Sequence, residues 1–245
     1  MNKANLLCFP HAGGSKFSYN RFMGVASGDL NIIPVELPGR GARIHEGLIQ
    51  DTAHMVEDVF RQIAPKIASD TPYAIYGHSM GALIGYLITR RIAEEKMPMP
   101  LHLFFSGAKP PFTIEDEPQV HLFKRDELID QLRRMGGIPE RILNNEKLIQ
   151  FLEPIVRADF RVIRTYQHQQ GRPFDLPLTV IIGSRENISR PQALLWQRET
   201  IRKIELKFFE GDHFFIFDHA KEIMELVDQR IDQAIAATFS SLESA

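Results

Sequence analysis

The sequence predicts an α/β domain built on a mainly parallel central sheet flanked by helices, interrupted once by a helical insertion. Three observations carry that expectation. Short apolar runs alternate with helical patterns almost from end to end, as they do where crossover helices connect parallel strands. Most of the runs are apolar on both faces, which suits strands covered on both sides. One connection, residues 112–154, is far longer than a single crossover helix needs.

The strand candidates, in order, are NLLCF, NIIPVEL, YAIYG, LHLFFSG, LTVIIG and IELKFFEG. Between them TAHMVEDVFRQIAPKI, GALIGYLITRRIAEEK, RADFRVIRTYQ and PQALLWQRETI repeat apolar residues at helical spacing. A last helix, AKEIMELVDQRIDQAIAATF, lines up Ile223, Leu226, Val227, Ile231 and Ile235 on one face. The insertion contains KRDELIDQLRRM and EKLIQFLEP, separated by Gly136-Gly137. A segment of this length between sheet strands is either a surface elaboration or a lid over a site, and a lid is expected here.

Composition narrows the function classes. At 245 residues the chain reads as one domain, 1–245, with a well-buried core. A formal net charge of −2 with 24% charged residues gives no electrostatic case for a nucleic-acid partner. The single cysteine, Cys8, excludes an internal disulfide and a cysteine-rich metal site, so a reducing compartment is the default. MNKAN runs directly into LLCFP without the layout of a signal peptide. No apolar run reaches membrane-spanning length, and SLESA carries no lipidation signal. The expectation is a cytoplasmic monomer with neither a nucleic-acid nor a membrane partner.

The chemistry is concentrated in YGHSMGAL, where a strand runs into a helix. It contains G-x-S-x-G, a pattern that holds a serine on a strained strand-to-helix turn, here Ser79 between Gly77 and Gly81. Three fixed positions recur by chance in roughly one chain of this length in ten. Placement at a strand–helix junction is what makes the motif informative. The start of a helix also stabilises nearby negative charge.

A serine hydroxyl needs a base within hydrogen-bond reach. In folds that present serine this way the order is serine, acid, histidine, with the histidine on a loop after the last strand. IELKFFEG is that strand, and His213 follows it. His78 abuts the nucleophile, but its side chain is expected to turn away from Ser79. The oxyanion of a tetrahedral intermediate needs two backbone N–H donors. One is expected at Met80, after the nucleophile, and the other at Ala12 or its neighbour in FPHAGGS, where Gly13 and Gly14 allow close approach.

With LLCFPHAGGS, VELPGRGARIHE, YGHSMGAL, FFSGAKPP, GGIPERILNN, RADFRVIRTY, Trp196 and FFEGDHFFI, the chain resembles type II thioesterases over nearly its whole length. These are the stand-alone editing hydrolases that accompany nonribosomal peptide and polyketide synthases. The resemblance implies an α/β-hydrolase fold with a helical lid over an acyl chamber. It also implies hydrolysis of acyl or aminoacyl thioesters on the phosphopantetheine arm of carrier domains, with Ser79 as nucleophile, His213 as base, and Ala12 and Met80 as oxyanion donors. No metal or bound cofactor is implied, since phosphopantetheine enters as part of the substrate. A small carboxylesterase or acyltransferase, or a catalytically weak docking module, would suit the same scaffold.

The chain departs from the family at the acid. Where the family usually reads aspartate, this chain reads Gly183-Ser-Arg-Glu186-Asn187. Glutamate serves this role in some α/β hydrolases, and its extra methylene adds about 1.5 Å of reach. Asn187 can orient an imidazole but carries no charge. Asp212 is adjacent to His213 and poorly placed to reach Nδ1. Asp159 has the right chain order but begins a helix. Glu186 is the expected acid.

Overall fold

The structure, a computed structural model, describes residues 3–116 and 118–243. Among these residues six strands form one sheet: β1 (Ala4–Phe9), β2 (Leu30–Pro34), β3 (Tyr73–His78), β4 (Leu103–Ser106), β5 (Leu178–Gly183) and β6 (Glu205–Phe209). Every pairing is parallel, in the order β2-β1-β3-β4-β5-β6. β2 is an edge strand, where the missing N–H of Pro34 costs the ladder little. From β1 the chain moves outward to β2 and returns on the other side as β3. The loops after β1 and β3 therefore leave neighbouring strands at a topological switch point, where a crevice opens at the carboxyl ends.

Eight helices accompany the strands among the described residues: α1 (Asn20–Val25), α2 (Thr52–Ile67), α3 (Met80–Glu94), α4 (Arg125–Met135), α5 (Glu140–Leu143), α6 (Glu146–Thr165), α7 (Arg190–Leu194) and α8 (Ala220–Glu243). Alternate strand residues point to opposite sides of the sheet. Leu7, Phe9, Ile75, Phe105, Val180 and Ile182 pack on one side against Val59 of α2, Ile84 of α3 and Val162 of α6. Leu6, Cys8, Tyr76, Phe104 and Ile181 pack on the other side against Phe22 of α1 and against α8 through Ile223, Val227 and Ile231. The apolar stripe expected on α8 is thus its buried face. α1 has no counterpart among the expected helices; at six residues it is too short for a periodic signal.

The insertion has an apolar seam of its own, made by Val120, Leu128, Leu132, Leu143, Ile149 and Val156. Each such side chain contributes about 1.5–3 kcal/mol by leaving water. Its far boundary differs from expectation. EKLIQFLEP and RADFRVIRTYQ, read as separate pieces divided near residue 154, form one continuous 20-residue helix, α6, with Pro154 inside it. The carbonyl deprived of its partner by Pro154 belongs to Gln150, an exposed residue. Burial of Ile149, Ile155, Val156 and Val162 along one face carries the helix through the proline. PQALLWQRETI shortens in the other direction: α7 tightens after five residues into a 3-10 turn, Leu195–Glu199, that buries Trp196 against the core. No helix among the described residues is long and apolar enough to cross a membrane.

His102 immediately precedes β4, buried and stacked on Phe104, and shares a 2.8 Å hydrogen bond with Thr179. Burial lowers its pKa to about 4, from 6.5 for the free side chain. As pH falls below 6.5 the unfolded chain takes up a proton that the folded chain refuses until about 4. Stability is therefore full above that window and is lost on acidification through it, by at most about 1.4 kcal/mol per pH unit for this one group. His102→Gln should lessen the fall in Tm between about pH 7.5 and 5, as measured by calorimetry. An unchanged slope would contradict the assignment.

Candidate active site

Ser79 sits between β3 and α3 with φ 57° and ψ −119°, a left-handed backbone held by a non-glycine residue. Such a conformation costs on the order of 1–3 kcal/mol and persists only where the surroundings enforce it. Here the enforcement is steric. A Cβ at Gly77 would collide with the backbone of Gly81, and a Cβ at Gly81 would collide with the carbonyl of Phe9 at the end of β1. The second contact presses the serine turn against the strand that leads into Pro10-His11-Ala12-Gly13-Gly14.

That loop is a tight turn. Gly14 N–H donates to His11 O at 2.9 Å, and Gly13 takes φ +74°. The N–H groups of Ala12 and Met80 donate to no acceptor among the described residues. They come from the two loops that meet at the switch point. His11 is held neutral, its pKa lowered to about 4 by burial. Its Nδ1–H donates to Ala12 O at 3.0 Å, and its Nε2 accepts from the Ser18 hydroxyl at 3.2 Å.

The loops after β5 and β6 are zipped together. Ser184 N–H donates to Phe209 O, and Arg185 N–H donates to Gly211 O. Gly183 is required at the crossing, since a Cβ there would lie 2.7 Å from the carbonyls of Gly211 and Asp212. The arrangement brings Glu186 to His213: Nδ1–H donates to Oε1 at 2.6 Å, with the glutamate side chain 2% exposed. The longer arm is taken up by a reciprocal turn. Glu186 N–H donates to Gly183 O, and Glu186 Oε2 accepts Gly183 N–H at 2.7 Å. With Nδ1 protonated and facing a carboxylate, Nε2 is left with its lone pair. That nitrogen is buried and makes no hydrogen bond with any described residue, so no Ser79–His213 hydrogen bond is present in this arrangement.

The other carboxylates are engaged elsewhere. Asp212 pairs with Arg185 at 3.0 Å and is exposed. Asp159 is fully buried on α6, bound to Arg40 and to the loop after β1. Asn187 lines the cavity beside the site. His78 has a larger part than the sequence suggested. Its ring packs on His213 with centroids 4.8 Å apart, while Nδ1 bonds to Ser106 Oγ at 2.9 Å. Burial holds its pKa well below the usual histidine range, so a neutral ring supports His213. A histidine beside Ser79 was visible in YGHSMGAL, but nothing local said what it would face.

Ser79, Met80, Glu186 and His213 open onto one cavity of about 590 Å³. The apolar part of its wall includes Leu83 of α3, Met135 of α4, Phe160 and Ile163 of α6, and Ile188, with Arg134, Arg164 and Arg185 also lining it. The insertion also reaches the histidine loop directly: Gly137, at φ +79°, lies so close to the Phe214 ring that a side chain there would overlap it. Among the described residues no group of three His, Cys, Asp or Glu side chains could hold a metal ion.

Residues 4–231 match the model of the thioesterase domain family. Gramicidin S biosynthesis protein GrsT of Aneurinibacillus migulanus is 32% identical over 235 residues, covering 96% of this chain and 91% of that protein. The medium-chain S-acyl fatty acid synthase thioesterase of Homo sapiens is 30% identical, covering 89% of this chain and 82% of its own. Of solved structures, ClbQ from the colibactin NRPS/PKS pathway matches with a TM-score of 0.89 at 29% identity, covering 97% of this chain and all of that one. Built on a parallel sheet with a serine turn at its switch point, and matched across 4–231, the chain belongs to the thioesterase domain family and has the α/β-hydrolase fold.

Proposed function

We propose that the chain is an editing thioesterase that hydrolyses acyl or aminoacyl thioesters on the phosphopantetheine arm of nonribosomal peptide or polyketide synthase carrier domains. The observation that carries the reading is the 2.6 Å contact of Glu186 with His213, in the lining of a cavity that Ser79 also lines. The relatives named for gramicidin S and colibactin biosynthesis support the choice of substrate. The apolar walls suit an acyl chain, and the insertion, whose α4 and α6 furnish much of them, serves as the lid.

In this mechanism Ser79 Oγ attacks the thioester carbonyl as His213 Nε2 takes its proton. The developing oxyanion is met by the N–H groups of Ala12 and Met80, worth several kcal/mol together. The C–S bond breaks, the pantetheine thiol leaves with the proton from His213, and the acyl group stays on Ser79. Water then gives a proton to His213 and attacks the ester. The proton returns to Ser79 as the acid departs. Glu186 holds the tautomer and stabilises the imidazolium without taking a proton itself. Neither step calls for a metal or a bound cofactor.

A serine-directed phosphonate should add one adduct to the wild type and none to Ser79→Ala, as read by intact mass. No adduct on the wild type, or an equal adduct on the variant, would sink the nucleophile assignment. Glu186→Gln keeps an acceptor for Gly183 N–H but loses the negative charge. It should lower kcat on acyl-carrier thioesters by about 10²–10⁴-fold while the circular dichroism spectrum is retained. Wild-type turnover in that variant would overturn the acid's role.

A further inference from the structure

We propose that Asp159, oriented by Arg40, is a positioning residue that sets the oxyanion loop. The idea rests on the thioesterase reading above. Arg40 lies in VELPGRG and Asp159 on α6, and their side chains are 5% and 0% exposed. Arg40 Nη1 and Nη2 donate to Asp159 Oδ2 and Oδ1 at 2.5 and 2.8 Å, a bidentate pair. Both partners also grip the loop after β1. Gly13 N–H donates to Asp159 Oδ2 at 2.7 Å, and Arg40 Nη1 donates to Gly14 O at 3.1 Å.

The geometry picks out one peptide group. The amide joining Ala12 to Gly13 has its carbonyl held by His11 Nδ1–H at 3.0 Å and its N–H held by Asp159. With both ends fixed, that peptide plane cannot rotate, and the Ala12 N–H on its other flank is aimed with it. Gly13 is seated on the same helix, since a Cβ there would come 2.9 Å from Val156 of α6. Stability alone does not explain the pair. Replacing a buried ion pair by apolar side chains of similar volume is often neutral or stabilising, whereas removing one partner is costly. What apolar side chains cannot supply is an acceptor for Gly13 N–H. α6 also lines the acyl cavity through Phe160 and Ile163, so one helix both contacts the acyl chain and fixes the oxyanion donor.

The test measures kcat and KM for octanoyl-pantetheine hydrolysis, with Tm as the control for folding. Arg40→Met/Asp159→Leu removes both charges and the acceptor for Gly13 N–H. It should stay folded, hold KM within about twofold, and lose kcat by about 10–100-fold, the range expected when an oxyanion donor is misplaced. Arg40→Met/Asp159→Asn returns an oxygen for Gly13 N–H without the ion pair, and should recover kcat to within about fivefold of wild type. Wild-type kcat in the leucine variant would overturn the proposal, as would a folded asparagine variant no faster than the leucine one. If the leucine variant does not fold, the asparagine variant decides alone, and a folded protein with kcat down more than about tenfold contradicts the proposal. Absence of Ser79-dependent hydrolysis in the wild type would instead remove the thioesterase reading, and this inference with it.

Discussion

Much of the site depends on one close approach, that of Gly81 to the Phe9 carbonyl. With no side chain at position 81, the start of α3 can lie directly on the end of β1. That contact holds Ser79 in its left-handed conformation and sets the serine turn beside the loop that carries Ala12. The parallel order of the sheet makes the approach possible, because β1 and β3 are neighbours whose following loops diverge at the switch point. Strain at one residue is thus maintained by packing between the ends of β1 and β3 and the start of α3.

Glu186 and His213 are brought together by a second crossing, of the loops after β5 and β6. Gly183 permits it, and backbone hydrogen bonds from Ser184 and Arg185 secure it. Within this frame the carboxylate that reaches the imidazole belongs to a glutamate. Its added length is absorbed by a carboxylate that turns back to Gly183 N–H before presenting its second oxygen to His213. Arg185, exposed on the loop after β5, pairs with Asp212 at 3.0 Å. His78, neutral and buried, packs against the His213 ring from the strand side.

What the sequence made legible was local. Strands apolar on both faces, the serine turn, the glycine-rich loop after β1 and the histidine after β6 each follow from a few adjacent residues. The order of the chain favoured Glu186 over Asp212, Asn187 and Asp159, but the reason lies in how two loops meet and in which carboxylates are already paired. Asp159 shows this well: its order in the chain suits an acid, yet its oxygens belong to Arg40 and Gly13. The continuity of α6 was hidden for a related reason. Pro154 is a local signal to stop, and it is overridden by apolar contacts on either side that only the folded insertion supplies.

The central claim is that Glu186 completes the site through His213, and the proton between them reports on it directly. Proton NMR of the wild type should show a far-downfield imidazole Nδ1–H resonance from His213. The account predicts its loss in Glu186→Gln and its persistence in Asp159→Asn. A resonance unchanged in Glu186→Gln, or lost only in Asp159→Asn, would contradict it.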